Sequence, residues 1–256
     1  MIHFHGLPIT PEKAAIAAIE NGFAFVSHRY PDQLGIAVEY SKGFAADNGA
    51  FSAWKSGNPI TDWTPYYQWV EDLRRIHKFQ FAIIPDVING TEKQNDDLIN
   101  QWPWRGANLA IGLPVWHLHE SLSRLERLSN EWPYIALGSS GQFAQIGTPH
   151  WWNRMAQAMA VLCDSGGRPR CKFHGLRQLA PDLTVRFPYA SGDSTDIAQN
   201  IGIDSKWTGA YQPETKAGRA QILRHRIESR QSPIIWHPDH RAIQPHLFAQ
   251  ADGEAA

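Results

Sequence analysis

The chain has 256 residues, 43% of them hydrophobic, and 24 Lys and Arg against 25 Asp and Glu, a formal net charge of −1. That balance excludes a generic polyanion binder, so any nucleic-acid contact must come from a local basic face. No apolar run approaches the roughly 20 residues that span a bilayer, so no membrane partner is expected, and two cysteines, Cys163 and Cys171, are too few for a disulfide framework.

The cysteine usage, with Met1 leading straight into strand-like sequence, points to a reducing, cytoplasmic setting without a secretory signal. Residues 1–6 (MIHFHG) read as a first strand ending at a Gly-Leu-Pro turn. Residues 11–21 follow as a helix with Thr10 as its cap, and 23–28 (FAFVSH) as a second strand. The third strand ends on Asp47, where Asp47-Asn48-Gly49 bends the chain, since Asx-Gly pairs tolerate positive φ. Residues 64–77 have helical spacing, and 79–86 (FQFAIIPD) form a nearly continuous apolar strand ending on Asp86. A helix over 92–101, a strand over 109–119 (LAIGLPVWHLH) and a helix over 121–132 capped by Ser121 come next. Residues 134–138 (YIALG) form strand six, running into Ser139-Ser140-Gly141, and 148–164 form the longest helix. Residues 171–176 (CKFHGL) and 184–189 (TVRFPY) complete eight strands, the last running into Ala190-Ser191-Gly192-Asp193.

Apolar strands alternating with helices imply parallel strands buried on both faces. Eight of them in this length imply a single-domain α/β protein, a (β/α)8 TIM barrel over residues 1–246, with 247–256 as a frayed tail. The polar residues then gather at the carboxyl ends of strands: Asp47, Asp86, His117, His119, Gly138 to Gly141, His174 and Asp193. Each has a plain reading. Asp47 and Asp86 suit turns, and Asp193 suits the N-cap of a helix beginning near Thr195. Their coincidence on the face where barrel enzymes place their sites argues for an enzyme. Several carboxylates without a metal-ligand pattern suggest acid/base or glycosyl chemistry, and no cofactor motif is present.

The ordered segments FAADNGAF, IIPDVI, PVWHLHESL, IALGSSG, KFHGL and YASGDST resemble the tRNA-guanine transglycosylase (queuine tRNA-ribosyltransferase) superfamily. They are most similar to its DNA-acting branch, the 7-deazaguanine DNA transglycosylases of phages and genomic islands, over residues 2–236. The resemblance implies a glycosyltransferase that exchanges guanine in a polynucleotide for a free 7-deazaguanine base, such as 7-cyano-7-deazaguanine, without cutting the backbone. It implies Asp193 as the nucleophile at C1′ of the sugar and Asp47 as the second catalytic aspartate. Asp86 would hold the purine's amino and N–H edge, and Gly138 and Ser139 would meet the base carbonyl. Trp116 and His117 fall near the family's Gln-Gly segment, without its Gln. Asn48, Gly49, Ser140 and His174 complete the expected substrate-binding set.

The tRNA enzymes carry a Cys-x-Cys-x-x-Cys plus His zinc site after the nucleophile strand; here no cysteine follows Asp193, so no metal is expected. This favours DNA over tRNA as partner. Phosphate contacts are expected from Arg177, Lys206, Lys216, Arg219 and Arg226, with Arg219 and Arg226 on one face of a helix over 214–229. The rival readings are the same exchange on tRNA, a barrel hydrolase of small nucleosides or glycosides, and a non-catalytic nucleic-acid binder. Oligomeric state is not legible.

Overall fold

The computed structural model describes residues 1–105, 111–203 and 211–238. Lys206, the start of the fifth predicted strand and the predicted tail at 247–256 lie outside the described residues. In chain order the strands are β1 (Ile2–Leu7), β2 (Phe23–Ser27), β3 (Gly43–Asp47), β4 (Phe79–Ile83), β5 (Gly112–Leu113), β6 (Val115–His117), β7 (Tyr134–Gly138), β8 (Lys172–Gly175) and β9 (Ser191–Ser194). The helices are α1 (Glu12–Ile19), α2 (Leu34–Tyr40), α3 (Ala50–Lys55), α4 (Thr64–Leu73), α5 (Glu92–Gln101), α6 (Leu122–Glu131), α7 (Pro149–Leu162), α8 (Pro181–Thr184), α9 (Asp196–Asn200) and α10 (Lys216–Glu228).

All strand pairings are parallel, in the order β5-β4-β3-β2-β1-β9-β8-β7-β6. The two ends of that order, β5 and β6, are consecutive in the chain and separated only by Pro114. They are two halves of one stave. Proline has no N–H for the ladder, so the stave breaks there, yet the Pro114 carbonyl still accepts from Ala136 N at 2.9 Å. The sheet is therefore a nearly closed barrel of eight staves with helices between them, the α/β TIM-barrel architecture that the strand-helix alternation predicts.

Side chains alternate along each strand. The inward set Phe4, Phe25, Ala45, Phe81, Ile83, Leu113, Val115 and Ala136 packs into one interior cluster. The outward set joins the helices in the larger core. Phe4 lies at the centre of the interior, its ring centroid 5.5 Å from Phe23, 6.2 Å from Phe25 and 5.3 Å from Phe81. Helix starts follow local chemistry. Thr91 and Gln94 form a capping box on α5, and the Ser121 and Thr148 hydroxyls accept from the N3 amides of α6 and α7.

Several predicted elements differ. The segment 184–189 (TVRFPY) is not a strand: α8 ends at Thr184, Pro188 cannot donate to a ladder, and the eighth stave is the small polar run Ser191–Ser194. Asp193 is thus a strand residue, and the N-cap of α9 is Thr195. Pro11 rather than Thr10 precedes α1, without a side-chain cap. α4 stops at Leu73, short of residue 77. Helices α2 and α3, of seven and six residues, are too short for periodicity to announce them. Among the described residues, no helix is long and apolar enough to cross a membrane.

Phe4→Ala should lower unfolding free energy by about 3–5 kcal/mol, because it opens a cavity ringed by aromatic side chains that cannot collapse into it. Urea denaturation should show a reduced midpoint at an unchanged slope.

Candidate active site

The carboxyl ends of the staves surround a cavity of about 440 Å³, within the range of small-ligand pockets. Its lining includes Asp47, Asn48, Asp86, His117, Gly138, Ser139, Arg177 and Asp193, eight of the residues singled out from sequence.

Asp193 enters from β9. Its register partner in β1 is Phe4, so it continues the inward face above the aromatic interior, and it is 4% exposed. Oδ1 accepts from the backbone amide of Arg177 at 3.0 Å and lies 3.1 Å from Nε2 of His174. Delivering the Arg177 amide requires φ = +59° at that residue, a left-handed conformation that costs a non-glycine residue on the order of 1 kcal/mol. The same turn lays the Arg177 guanidinium over the Phe51 ring at 3.8 Å, with Nη2 donating to the Ser139 carbonyl at 3.2 Å. Burial pulls the Arg177 pKa down, against the raising effect of Asp193 and Asp47.

Asp47 ends β3 on the inward face, opposite Ser27 of β2, and is half-buried. Burial, then the negative charges of Asp193 and Asp86, push its carboxyl up to about 7, with Ser27 and the Gly49 amide pulling the other way. The next residues turn the chain. Gly49 takes φ = +80° as the N-cap of α3, and the Asn48 Oδ1 accepts from Ala50 N at 2.8 Å. Asn48 Nδ2 donates to the Ile84 carbonyl at 3.0 Å and to Asp86 Oδ1 at 2.7 Å, tying the ends of β3 and β4 together.

Asp86 is completed on its other oxygen by His117 Nε2 at 2.8 Å. His117 Nδ1 is buried without a hydrogen-bond partner, and it lies so near Gly138 that a Cβ there would meet it at 2.9 Å. Only glycine fits at 138. A second layer pins His117. Glu120 Oε2 accepts from its backbone N at 2.8 Å and from Arg124 Nη1 at 2.6 Å, while Oε1 accepts from Asn95 at 2.8 Å. Glu120 and Arg124 are both 2% exposed, and Arg124 also meets Asp96 Oδ1 at 3.0 Å, so the buried Glu120 charge depends on Arg124 being present.

The remaining sequence candidates lie elsewhere. Trp116 is the outward residue between Val115 and His117. It is fully buried in the helix-facing core, donates to the Ser121 carbonyl at 3.0 Å and does not reach the cavity. Ser140 is buried against His119 Nδ1 at 2.7 Å, and Gly49 serves the turn. His174 lies beneath the cavity, behind Asp193. Arg219 donates from Nε to the Pro213 carbonyl at 2.8 Å. Arg226 is in the last turn of α10, whose end meets β1 at the opposite face of the barrel through His3 Nε2 and the Arg230 carbonyl, 3.0 Å apart. Lys216 starts α10 and does not line the cavity. Sequence reasoning missed Phe51, Lys55, Tyr30 and Gln199, which line the cavity. Phe51 and Lys55 sit just past the Asp-Asn-Gly turn, one helical turn apart, and that spacing was the available signal.

Among the described residues, no three His, Cys, Asp or Glu side chains converge as a metal site. Cys163 and Cys171 are free and buried, and burial pushes their thiols up to about 12 and about 11.

No protein-family model matches the sequence, and no curated protein matches it. A tryptophan synthase from M. tuberculosis, solved in an open form with BRD0059 bound, superposes with a TM-score of 0.49 at 13% identity, over 89% of this chain and 91% of that one. The barrel assignment rests on the strand pairing rather than on this likeness.

Asp47 makes stability fall with pH. Its folded pKa of about 7 exceeds its ordinary value of 3.8. The folded state therefore holds more protons than the unfolded state between about pH 4 and pH 7, and ionisation is penalised above that window. Asp47→Asn should gain on the wild type by on the order of 1–3 kcal/mol at pH 8 relative to pH 4, read by denaturant melts at both pH values.

Proposed function

We propose that the chain is a base-exchanging glycosyltransferase that replaces guanine in DNA with a 7-deazaguanine base through a covalent aspartyl-sugar intermediate. One observation carries the reading: two inward carboxylates share the cavity with different partners. Asp193 Oδ1 accepts from the Arg177 amide and meets His174 Nε2, whereas Asp47 is lifted to about 7 by burial and by Asp193 itself. A carboxylate that holds its proton to about pH 7 beside another suits the division into a proton carrier and a nucleophile.

In the first half-reaction, ionised Asp193 attacks C1′, the glycosidic bond to guanine breaks, and the departing base takes a proton from Asp47. In the second, the entering deazapurine gives a proton to Asp47 and attacks C1′ as the ester to Asp193 breaks. Two inversions retain the β configuration. Asp86, held by Asn48 and His117, is placed for the amino and N–H edge of a purine. The Ser139 peptide, bonded to Arg177, borders the position of its carbonyl. Phe51 and the Arg177 guanidinium form a flat wall suited to stacking. A guanine in duplex must first leave its stack, at about a few kcal/mol, so single-stranded DNA should react more readily.

A second reading, hydrolysis of small nucleosides, draws on the commitments of the α10 cations. Arg219 is bonded to backbone carbonyls, and Arg226 lies at the face opposite the cavity.

Incubation with guanine-labelled DNA or tRNA and 7-cyano-7-deazaguanine separates the readings. Label release with deazaguanine incorporated into DNA supports the proposal. Incorporation only into tRNA changes the polymer, and release without incorporation makes the enzyme a hydrolase. Asp193→Asn should lose at least about 10⁴-fold in turnover while unfolding like the wild type. The kcat/KM profile should fall above about pH 7, where Asp47 loses its proton, and Asp47→Asn should flatten that limb along with a large loss of rate.

A further inference from the structure

The nucleophile stands on a buried chain of hydrogen bonds that the exchange chemistry does not itself require. Ser191 and His174 are register partners in adjacent parallel staves, both inward-facing, so their side chains meet. His174 Nδ1 is hydrogen-bonded to the Ser191 hydroxyl, which is hydrogen-bonded in turn to the Tyr134 hydroxyl. His174 Nε2 reaches Asp193 Oδ1 at 3.1 Å. The imidazole is fully buried, with ring centroids of Phe4, Phe25 and Phe81 at 5.9, 5.6 and 5.4 Å.

With the ring neutral and Asp193 ionised, one direction of donation satisfies every member. Burial pushes the Tyr134 phenol up to about 12, so it stays protonated and donates to Ser191. Ser191 then has its hydrogen for His174 Nδ1, and the histidine proton must sit on Nε2, where it meets the carboxylate. Reversed, Nδ1–H would donate to Ser191 and an unprotonated Nε2 would face Asp193 lone pair to lone pair.

We infer that His174, oriented by Tyr134 and Ser191, is a positioning residue for the nucleophile: as the neutral Nε2–H tautomer it joins the Arg177 amide on Asp193 Oδ1 and leaves Oδ2 as the attacking atom. The inference rests on Asp193 being the nucleophile, but the tautomer is testable whatever the reaction. A donor to the ionised carboxylate also favours its anion. Asp193 is faced by His174 from β8, by Arg177 from the turn after it and by Asp47 from β3, with Asp86 and His117 lining the same cavity and Tyr134 behind Ser191.

The test has two arms on the full chain. Nitrogen-15 NMR of His174 should report Nε2 protonated and Nδ1 bare from about pH 6 to 8, and Ser191→Ala should mix the tautomers. An Nδ1–H or doubly protonated ring in the wild type overturns the relay. In the exchange assay, His174→Phe keeps a ring in the phenylalanine cage but offers no donor. It should lose about 10²-fold in kcat with KM changed less than about 3-fold, and move the acid limb of the kcat/KM profile up by about one unit. His174→Gln, which retains an N–H donor, should recover most of the rate and return the limb. An unmoved limb in His174→Phe, or equal losses in both variants, overturns the positioning role. A wild type with the Nε2–H tautomer but no base exchange would support the relay while removing the proposed reaction.

Discussion

An ionised carboxylate in the mouth of an apolar barrel is costly unless its oxygens find donors, and the architecture around Asp193 answers that cost. Below it lie phenylalanine rings, which offer none. The partners come instead from a strained turn at Arg177, which gives its amide, and from His174, whose Nε2 lies 3.1 Å from Oδ1. Holding that charge then sets the state of its neighbour. Asp47 shares the cavity with Asp193, and burial first, then the charges of Asp193 and Asp86, keep its proton on to about pH 7. The difference between two chemically identical side chains thus follows from their surroundings: burial and neighbouring charge outweigh the Ser27 and Gly49 donors at Asp47.

The opposite side of the cavity is built on the same logic with different parts. Asp86 is buried, but Asn48 and His117 satisfy both of its oxygens. Those partners are held in turn: Asn48 by the Ile84 carbonyl and the Ala50 amide, His117 through its backbone by Glu120, which Arg124 neutralises. The arrangement holds both Asp86 oxygens and leaves one unpartnered nitrogen, His117 Nδ1, on the ring beside it. Removing Arg124 from such a network leaves Glu120 buried without its ion-pair partner.

Much of the barrel was legible because strand-helix alternation is a local pattern. Continuous apolar runs such as FQFAII and YIALG cannot satisfy their surface except as parallel strands covered by helices. The misses have local causes as well. TVRFPY has strand-like composition, but Pro188 forbids a central ladder and the polar run SGDS takes the stave instead. No propensity favours that choice. It pairs β8 and β1 and puts Ser191 and Asp193 on the inner face. Trp116 and His117 are adjacent in sequence, yet the pleat sends one to the helix layer and the other to the cavity.

The sequence by itself determined the alternation and most of the stave ends, the eighth excepted, because those depend on neighbours within a few residues. It placed Asp47, Asp86 and Asp193 at one rim from that pattern. Only the tertiary structure decided what each carboxylate does. The burial and the nearby charges that raise Asp47, the amide that Arg177 turns toward Asp193, and the Tyr134–Ser191–His174 chain behind it all join residues from different staves. The same holds for the α10 cations: a helical repeat puts Arg219 and Arg226 on one stripe, but the direction in which the helix crosses the barrel sends one toward each end. Protonation and reach are properties of distance in space, and distance in space is what a closed barrel sets and a linear sequence leaves open.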